Sequence, residues 1–167
     1  KPVGIVVALD ESLSSSQTTW SQADIVAFEA AHRDRFSQGT EAVLYVLYLN
    51  GASDQDSGSA RVLGLSYSGS SFCIFKESVD SSATLALTSR TIEEAVLVHE
   101  AGHNLGLVNN GTPMQTPHQD TANGKHDTDS SCVMHHTIES SLISQLLGVP
   151  NQFGANCVAD LQAAGGQ

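Results

Sequence analysis

The sequence is poor in basic residues, poor in cysteine and free of long apolar runs. Its 167 residues include only seven lysines and arginines against 18 aspartates and glutamates, which gives a formal net charge of −11. Nucleic acids and anionic membrane surfaces bind cationic faces, so this balance argues against both as partners. No apolar run approaches the roughly 20 residues that a membrane-spanning helix needs. The three cysteines allow at most one internal disulfide and form no C-x-x-C pair, which disfavours a redox site and a cysteine-ligated zinc site.

The rest of the composition is that of an ordinary globular chain. Hydrophobic residues make up 40% of it, and its length suits one domain with a substantial core. Serine, threonine, glycine and asparagine are abundant while lysine is scarce, a composition that suggests an exported protein, although the residues from Lys1 onward carry no signal peptide. We expect an exported monomer with no transmembrane segment.

Local patterns in the first half of the chain predict strands and helices. The apolar run at residues 3–9 indicates a buried strand, and residues 21–36 carry apolar side chains at helical spacing. Further strands are predicted at residues 42–49, 62–67 and 72–76. A strand, a helix and three more strands predict an α+β fold in which helices pack on a mixed sheet.

The most informative stretch is H-E-A-G-H, from His99 to His103. On a helix these two histidines fall one turn apart on the same face, close enough for both imidazoles to bind one cation. Imidazole nitrogen suits zinc, and Glu100 can act as general base toward a water in an open coordination position. We predict this zinc helix at about residues 92–107, with Thr91 as its N-cap.

The chain after the zinc helix is predicted to be mostly irregular. A polar segment at residues 109–131 carries His118 and His126, and so long a loop is unusual unless it has a function. Helices are predicted at residues 138–147 and 155–163.

The histidine motif resembles that of the metzincin zinc peptidases, H-E-x-x-H-x-x-G-x-x-H followed by a methionine turn. The residues that match it are His99, Glu100, His103 and Gly106. The resemblance assigns Gly106 the role of ending the helix and turning the chain back toward the metal. The position of the family's third histidine is occupied by Asn109, whose amide is a poor zinc ligand beside imidazole.

A second alignment is with the archaemetzincins, which resemble this chain in the pattern H-C-x-x-x-x-C-x-M. The sequence reproduces that spacing with His126, Asp127, Cys132 and Met134, where Asp127 replaces the first cysteine. The resemblance implies that His126 is the third zinc ligand, that residues 109–125 are an insertion, and that Met134 forms the floor beneath the metal in a turn at residues 132–136. It implies no second, cysteine-bound zinc, because Asp127 and the missing C-x-x-C pair remove its ligands.

Three alternatives stay open at this point. His118 lies in the same loop as His126 and is a rival third ligand. In gluzincins the third ligand is a glutamate from a later helix, and Glu139 could serve in that role. A metzincin-like fold could also keep zinc for structure and act as a non-catalytic binding module.

The metzincin resemblance implies a single catalytic domain with an active-site cleft between two subdomains. Residues 1–108 would form an upper subdomain of twisted mixed sheet and two helices, and residues 109–167 a smaller, irregular and helical lower subdomain. The implied activity is peptide-bond hydrolysis through a water bound to one catalytic Zn²⁺, with Glu100 as general base. His136 stands where some metzincins place a tyrosine that assists the oxyanion.

The resemblance also places a peptide or protein substrate. It implies that the strand at about residues 71–76 is the edge along which an extended peptide pairs. Thr137 and Ile138 are expected to line the pocket for the side chain just past the scissile bond.

Overall fold

Short strands and helices precede one long helix that carries the histidine motif. The computed structural model describes residues 4–9, 12–146 and 148–166. The strands are β1 (Thr19–Trp20), β2 (Tyr45–Leu49), β3 (Ala52–Ser53), β4 (Gly64–Ser68), β5 (Ser71–Phe75), β6 (Gln119–Asp120) and β7 (His126–Asp127). The helices are α1 (Gln22–His32), α2 (Lys76–Ser81), α3 (Ser89–Asn104) and α4 (Ala155–Ala163), with a 3₁₀ helix at Ser141–Gln145. The predicted α+β class is confirmed.

The principal sheet has the strand order β2-β5-β4, with β5 parallel to β2 and antiparallel to β4. All five residues of β5 are buried, and its alternate side chains enter two cores. Phe72 and Ile74 pack in the core that includes α3, whereas Cys73 and Phe75 pack with Trp20. A strand that is buried on both faces is expected to be apolar along its length, and the last four residues of β5, 72–75, are all apolar.

The prediction that the strand at residues 71–76 is the sheet edge along which a peptide substrate pairs is wrong. Because β5 has a neighbouring strand on each side, its main-chain groups are already paired within the sheet. The strand that precedes it, β4, is the outer strand on this side. The two strands form a hairpin, and the sequence alone does not tell which of them lies outermost.

The predicted strand at residues 3–9 is also wrong as far as the structure describes it. Residues 4–9 have no regular secondary structure, and Ile5, Val6, Val7 and Leu9 are 89–92% exposed; Val3 lies outside the described residues. An apolar run becomes a strand only where a neighbour accepts its main-chain hydrogen bonds, and the described sheets form without this one.

The first helix is shorter than the predicted span of residues 21–36. Ser21 and Asp24 form a capping box at its start, but the helix ends at His32. Arg33 has an extended conformation, and its guanidinium group binds Glu29 and the hydroxyl of Ser71 at the β4–β5 hairpin. The extended conformation of Arg33 ends the helix before Phe36.

The motif helix α3 begins and ends three residues earlier than predicted. Its N-cap is Thr88, whose side chain accepts a hydrogen bond from the main-chain N–H of Thr91, so the prediction of Thr91 as the cap is wrong. At the other end Gly106 has a φ of +78°, and a Cβ there would lie 2.8 Å from the main-chain nitrogen of Thr112. Both the turn and the close approach of residue 112 require glycine at this position.

The chain after α3 folds back against it. The predicted loop at residues 109–131 contains the small antiparallel pair β6–β7. Val133, Met134 and Ile138 are fully buried in the core that α3 shares with β5. The predicted helix at residues 138–147 is only a 3₁₀ helix in its described part, Leu147 lying outside the described residues, whereas α4 has the predicted bounds. Among the described residues no helix is both long and apolar enough to cross a membrane.

Candidate metal centre

A third imidazole meets the two histidines of the motif. The Nε2 atoms of His99 and His103 lie 3.1 Å apart. The ring centroid of His126, from β7, lies 5.2 Å from that of His99 and 5.1 Å from that of His103. The carboxylate of Glu139 joins them, and one ligand atom from each of the four residues lies within 4.8 Å of the others. Three imidazoles and a carboxylate are a donor set that a transition metal such as zinc accepts.

Main-chain carbonyl groups orient two of these rings. Nδ1 of His99 lies 2.7 Å from the carbonyl oxygen of Val133, and Nδ1 of His126 contacts the carbonyl oxygen of Asn123. Since a carbonyl only accepts, each Nδ1 carries a proton, and the neutral form of each ring therefore has its lone pair on Nε2, on the side of the cluster. Metal-bound histidines characteristically make this kind of supporting hydrogen bond.

The contacts among the three histidines and Glu139 shift the pKa values of these groups. Burial and the neighbouring rings of His99 and His126 lower the pKa of His103 to about 3, so that its imidazole is neutral at pH 7. Burial by itself would raise the pKa of Glu139, but its contacts with His126 and His99 outweigh that effect and hold the pKa well below its usual range. Burial by itself would lower the pKa of His126, but its hydrogen bond and ion pair with Glu139 raise it. Since neutral imidazoles and ionised carboxylates are the forms that bind a metal, His103 and Glu139 are ready for one, whereas a metal ion would compete with a proton at His126.

Glu100 has a fully buried carboxylate beside this cluster. Neither of its oxygens accepts a hydrogen bond of normal geometry from a described residue. Nε2 of His126, by contrast, has Oε2 of Glu139 as a polar neighbour at 3.3 Å. Burial, and then the negative charge of Glu139, raise the pKa of Glu100 well above its ordinary value of 4.5. Gly64 of β4 leaves the space for this side chain, because a Cβ there would lie 2.6 Å from Oε1 of Glu100.

The unpartnered carboxylate of Glu100 and the three converging imidazoles fit a metal ion. A buried carboxylate without a hydrogen-bond partner is costly. Glu100 lines the same cleft as His103 and His126, where a cation bound by the imidazoles would compensate its carboxylate. His99, His103 and His126 could therefore hold zinc, with Glu100 adjacent to it.

Met134 lies against the helix that carries the first two histidines. Its sulfur occupies the space beside Gly102, where a Cβ would overlap it. The carbonyl oxygen of Met134 accepts a 2.8 Å hydrogen bond from the N–H of Asp127, and the preceding carbonyl, that of Val133, holds His99. The turn at residues 132–136 thus contacts both histidine-bearing segments.

His118, the rival ligand, lies in a different buried group. Its Nδ1 is 2.9 Å from Oδ2 of Asp127, and its Nε2 is 2.9 Å from Oδ2 of Asp160 on α4. Burial lowers the pKa of His118, but the hydrogen bonds to Asp160 and Asp127 outweigh burial and raise it. The free thiols of Cys132 and Cys157 lie beside this group, with their sulfurs 3.7 Å apart.

This second group includes His118, Asp127 and Cys157, whose ligand atoms also lie within 4.8 Å of one another. Both nitrogens of His118 already contact carboxylates, so the group is a closed hydrogen-bonded network as it stands. Sequence reasoning missed it, because its members are 9 and 42 residues apart and no local spacing connects them.

Two other residues that the sequence singled out, Asn109 and His136, lie outside the cluster of possible metal ligands. Asn109 has a φ of +59°, and its side chain donates to Oε1 of Gln119 rather than facing the histidines. The ring of His136 lies 6.4 Å from that of His126, and its Nδ1 is 3.8 Å from a carboxylate oxygen of Asp120.

A cleft of about 270 Å³ opens onto the cluster. Leu65 and Ser66 of β4 form part of its lining, together with Glu100, His103, His126 and Glu139. The predicted pocket residues Thr137 and Ile138 do not line it. Ile138 is fully buried in the core, and the hydroxyl of the half-buried Thr137 contacts the ring of His135.

Comparisons of the chain with protein-family models, with curated proteins and with solved structures found no match.

Proposed function

We propose that this protein is a zinc-dependent peptidase of the metzincin type. The observation that carries the proposal is the convergence of His99, His103 and His126 beside the buried carboxylate of Glu100, at the side of an open cleft. Three neutral imidazoles leave the full charge of a divalent cation available to a substrate. A glutamate directly after the first ligand is what a hydrolytic site needs, whereas a structural zinc site has no use for it.

Bound zinc would supply a Lewis acid for the substrate carbonyl and for the attacking water. Glu100 takes the proton of that water and passes it to the leaving amine. Burial raises the pKa of Glu100, which makes it a stronger base than an exposed glutamate. His99 and His126 keep their orientation through the carbonyl groups of Val133 and Asn123.

An extended peptide fits along β4. This strand pairs only with β5 in the described sheet, and its residues Leu65 and Ser66 line the cleft next to the histidines. Addition of a substrate strand to a free sheet edge supplies main-chain hydrogen bonds without requiring a particular side chain. We therefore expect peptide or protein substrates.

The test is the variant Glu100→Gln, assayed for zinc content and for cleavage of a broad fluorogenic peptide library. Removal of the base should lower cleavage by about 10²- to 10⁴-fold. Zinc stoichiometry should stay at that of the unmodified protein. Glu94→Gln, on the exposed part of the same helix, is the matched control and should keep both properties.

The outcome that would remove the peptidase proposal is zinc uptake without any cleavage by the unmodified protein. The second candidate, a non-catalytic zinc-containing binding module, would then take its place. That candidate is favoured by one observation, the presence of Glu139 as a fourth possible ligand, since structural zinc sites are closed by four protein ligands.

A further inference from the structure

The position of Glu139 is not explained by peptide hydrolysis with three histidines and Glu100. Its Oε2 atom lies 3.3 Å from Nε2 of His126 and 3.8 Å from Nε2 of His99. Four ligand atoms at tetrahedral positions, each about 2.1 Å from one zinc ion, stand roughly 3.4 Å apart. The separations around Glu139, and the 3.1 Å between His99 and His103, lie close to that spacing.

The main chain holds Glu139 firmly at this place. Its carbonyl oxygen accepts a 2.8 Å hydrogen bond from the N–H of Leu63, immediately before β4. Two residues later the N–H of Ser141 donates to the carbonyl oxygen of Arg61 at 2.9 Å. The segment therefore forms an antiparallel bridge with the chain that leads into β4, and the carboxylate reaches the histidines from a fixed base.

The side chain itself is not enclosed. It is 36% exposed and lines the cleft, whereas the side chain of His99 is fully buried. His103, another member of the cluster, is half-buried as well and lines the same cleft, so the site has an open side. A carboxylate on an anchored main chain with a partly exposed side chain can leave the metal by rotation about its own side-chain bonds, without unfolding the segment.

We propose that Glu139 is a fourth protein ligand of the metal, which closes the resting site until a ligand in the cleft displaces its carboxylate. This inference rests on the zinc site proposed above and concerns its regulation. It makes Glu139 an addition to the three histidines rather than a substitute for one of them. The class of displacing ligand is a bidentate oxygen donor or the carbonyl of a peptide bound along β4.

The experiment compares Glu139→Gln and Glu139→Ala with the unmodified protein and with Glu94→Gln. Zinc dissociation constants are measured by competition with a chelator, and the visible spectrum is recorded after substitution with Co²⁺. Acetohydroxamate is then titrated into the Co²⁺ proteins. Glutamine keeps the size of the side chain and the main-chain hydrogen bonds, and circular dichroism checks that every variant is folded.

Loss of a direct ligand should raise the zinc dissociation constant at least about tenfold, since even the loss of an outer supporting contact has effects of that order. The Co²⁺ spectrum of both Glu139 variants should differ from that of the unmodified protein, because one donor has changed. Acetohydroxamate should bind the Glu139→Ala protein more tightly, because no carboxylate has to be displaced. The Glu94→Gln protein should match the unmodified protein in all three measurements.

Unchanged zinc affinity and an unchanged Co²⁺ spectrum in both Glu139 variants would overturn this inference and leave the peptidase proposal standing. Glu139 would then be an ion-pair partner of His126 and nothing more. Zinc binding that depends on Glu139 in a protein without peptidase activity would have the opposite meaning, since the fourth ligand would stand and the peptidase proposal would fall. Failure of the unmodified protein to take up any divalent metal would remove both.

Discussion

Replacement of His126 or of His118 by alanine should have different consequences, although the two histidines lie in the same loop. The ring of His126 faces His99 and His103, so the His126→Ala protein should lose stoichiometric zinc. The ring of His118 faces two carboxylates instead. We expect the His118→Ala protein to keep its zinc ligands and to lose stability.

The loss of folding free energy in the His118→Ala protein can be worked out from the contacts of His118. It makes two hydrogen bonds of 2.9 Å, to Asp127 and Asp160, and the three side chains are only 1–2% exposed. Removing one partner of a buried charged pair costs about 3–5 kcal/mol, because the remaining charge stays buried without compensation. For a chain of this size that corresponds to a fall in the melting temperature of about 6–20 °C.

The two variants are compared by metal analysis after dialysis and by thermal unfolding followed by circular dichroism. Zinc content is measured well below the melting temperature of each protein, so that unfolding does not mimic the loss of a ligand. The reasoning would be refuted by zinc loss in a folded His118→Ala protein together with zinc retention in His126→Ala. That pair of results would make His118 the third ligand.

Two further predictions concern the surroundings of the site. Gly64→Ala would place a methyl group 2.6 Å from Oε1 of Glu100, so we expect at least about tenfold slower peptide cleavage with unchanged zinc content. Gly69→Ala, at a position with open space, is the control. An equal loss of peptide cleavage in both variants would contradict the packing argument. The raised pKa of His118 should stabilise the metal-free protein fully below its ordinary value of 6.5, and this contribution should disappear as the pH rises through the raised value. Urea unfolding between about pH 6 and pH 9 should show that fall for the unmodified protein, and a His118→Gln profile of the same slope would speak against it.

The parts of the fold that could be predicted from sequence are those that local patterns determine. The apolar run of β5, the apolar face of α3 and the short helix α4 all follow from patterns within a few residues. The exact start of α3 did not, because Thr88 and Thr91 are both acceptable caps and only the structure shows which hydroxyl accepts the hydrogen bond. The exposed run at residues 4–9 shows the other limit, since a strand pattern does not by itself supply a partner strand.

The candidate site, like the fold, has residues that local sequence predicts and residues that it does not. His99, Glu100 and His103 lie within one and a half turns of helix, so their common face can be read directly from the sequence. His126 needed the spacing to Cys132 and Met134, which is a resemblance and not a physical derivation. Glu139 was weighed only as a substitute for a third histidine, and nothing in the sequence indicated that it lies beside all three. The network around His118 depends on contacts between distant segments, for which the sequence offers no local signal.

The strand β7 explains how a histidine from an irregular segment can hold a fixed position. Successive side chains of a strand point to opposite faces, so His126 turns toward the metal cluster while Asp127 turns toward His118 and, beyond it, Asp160 on α4. The main-chain N–H of Asp127 is bound at the same time by the carbonyl oxygen of Met134. One dipeptide therefore joins the metal cluster, the methionine turn and the last helix. Because metal affinity depends on how well the ligands are held before the metal arrives, the buried network should strengthen metal binding although none of its side chains belongs to the metal cluster.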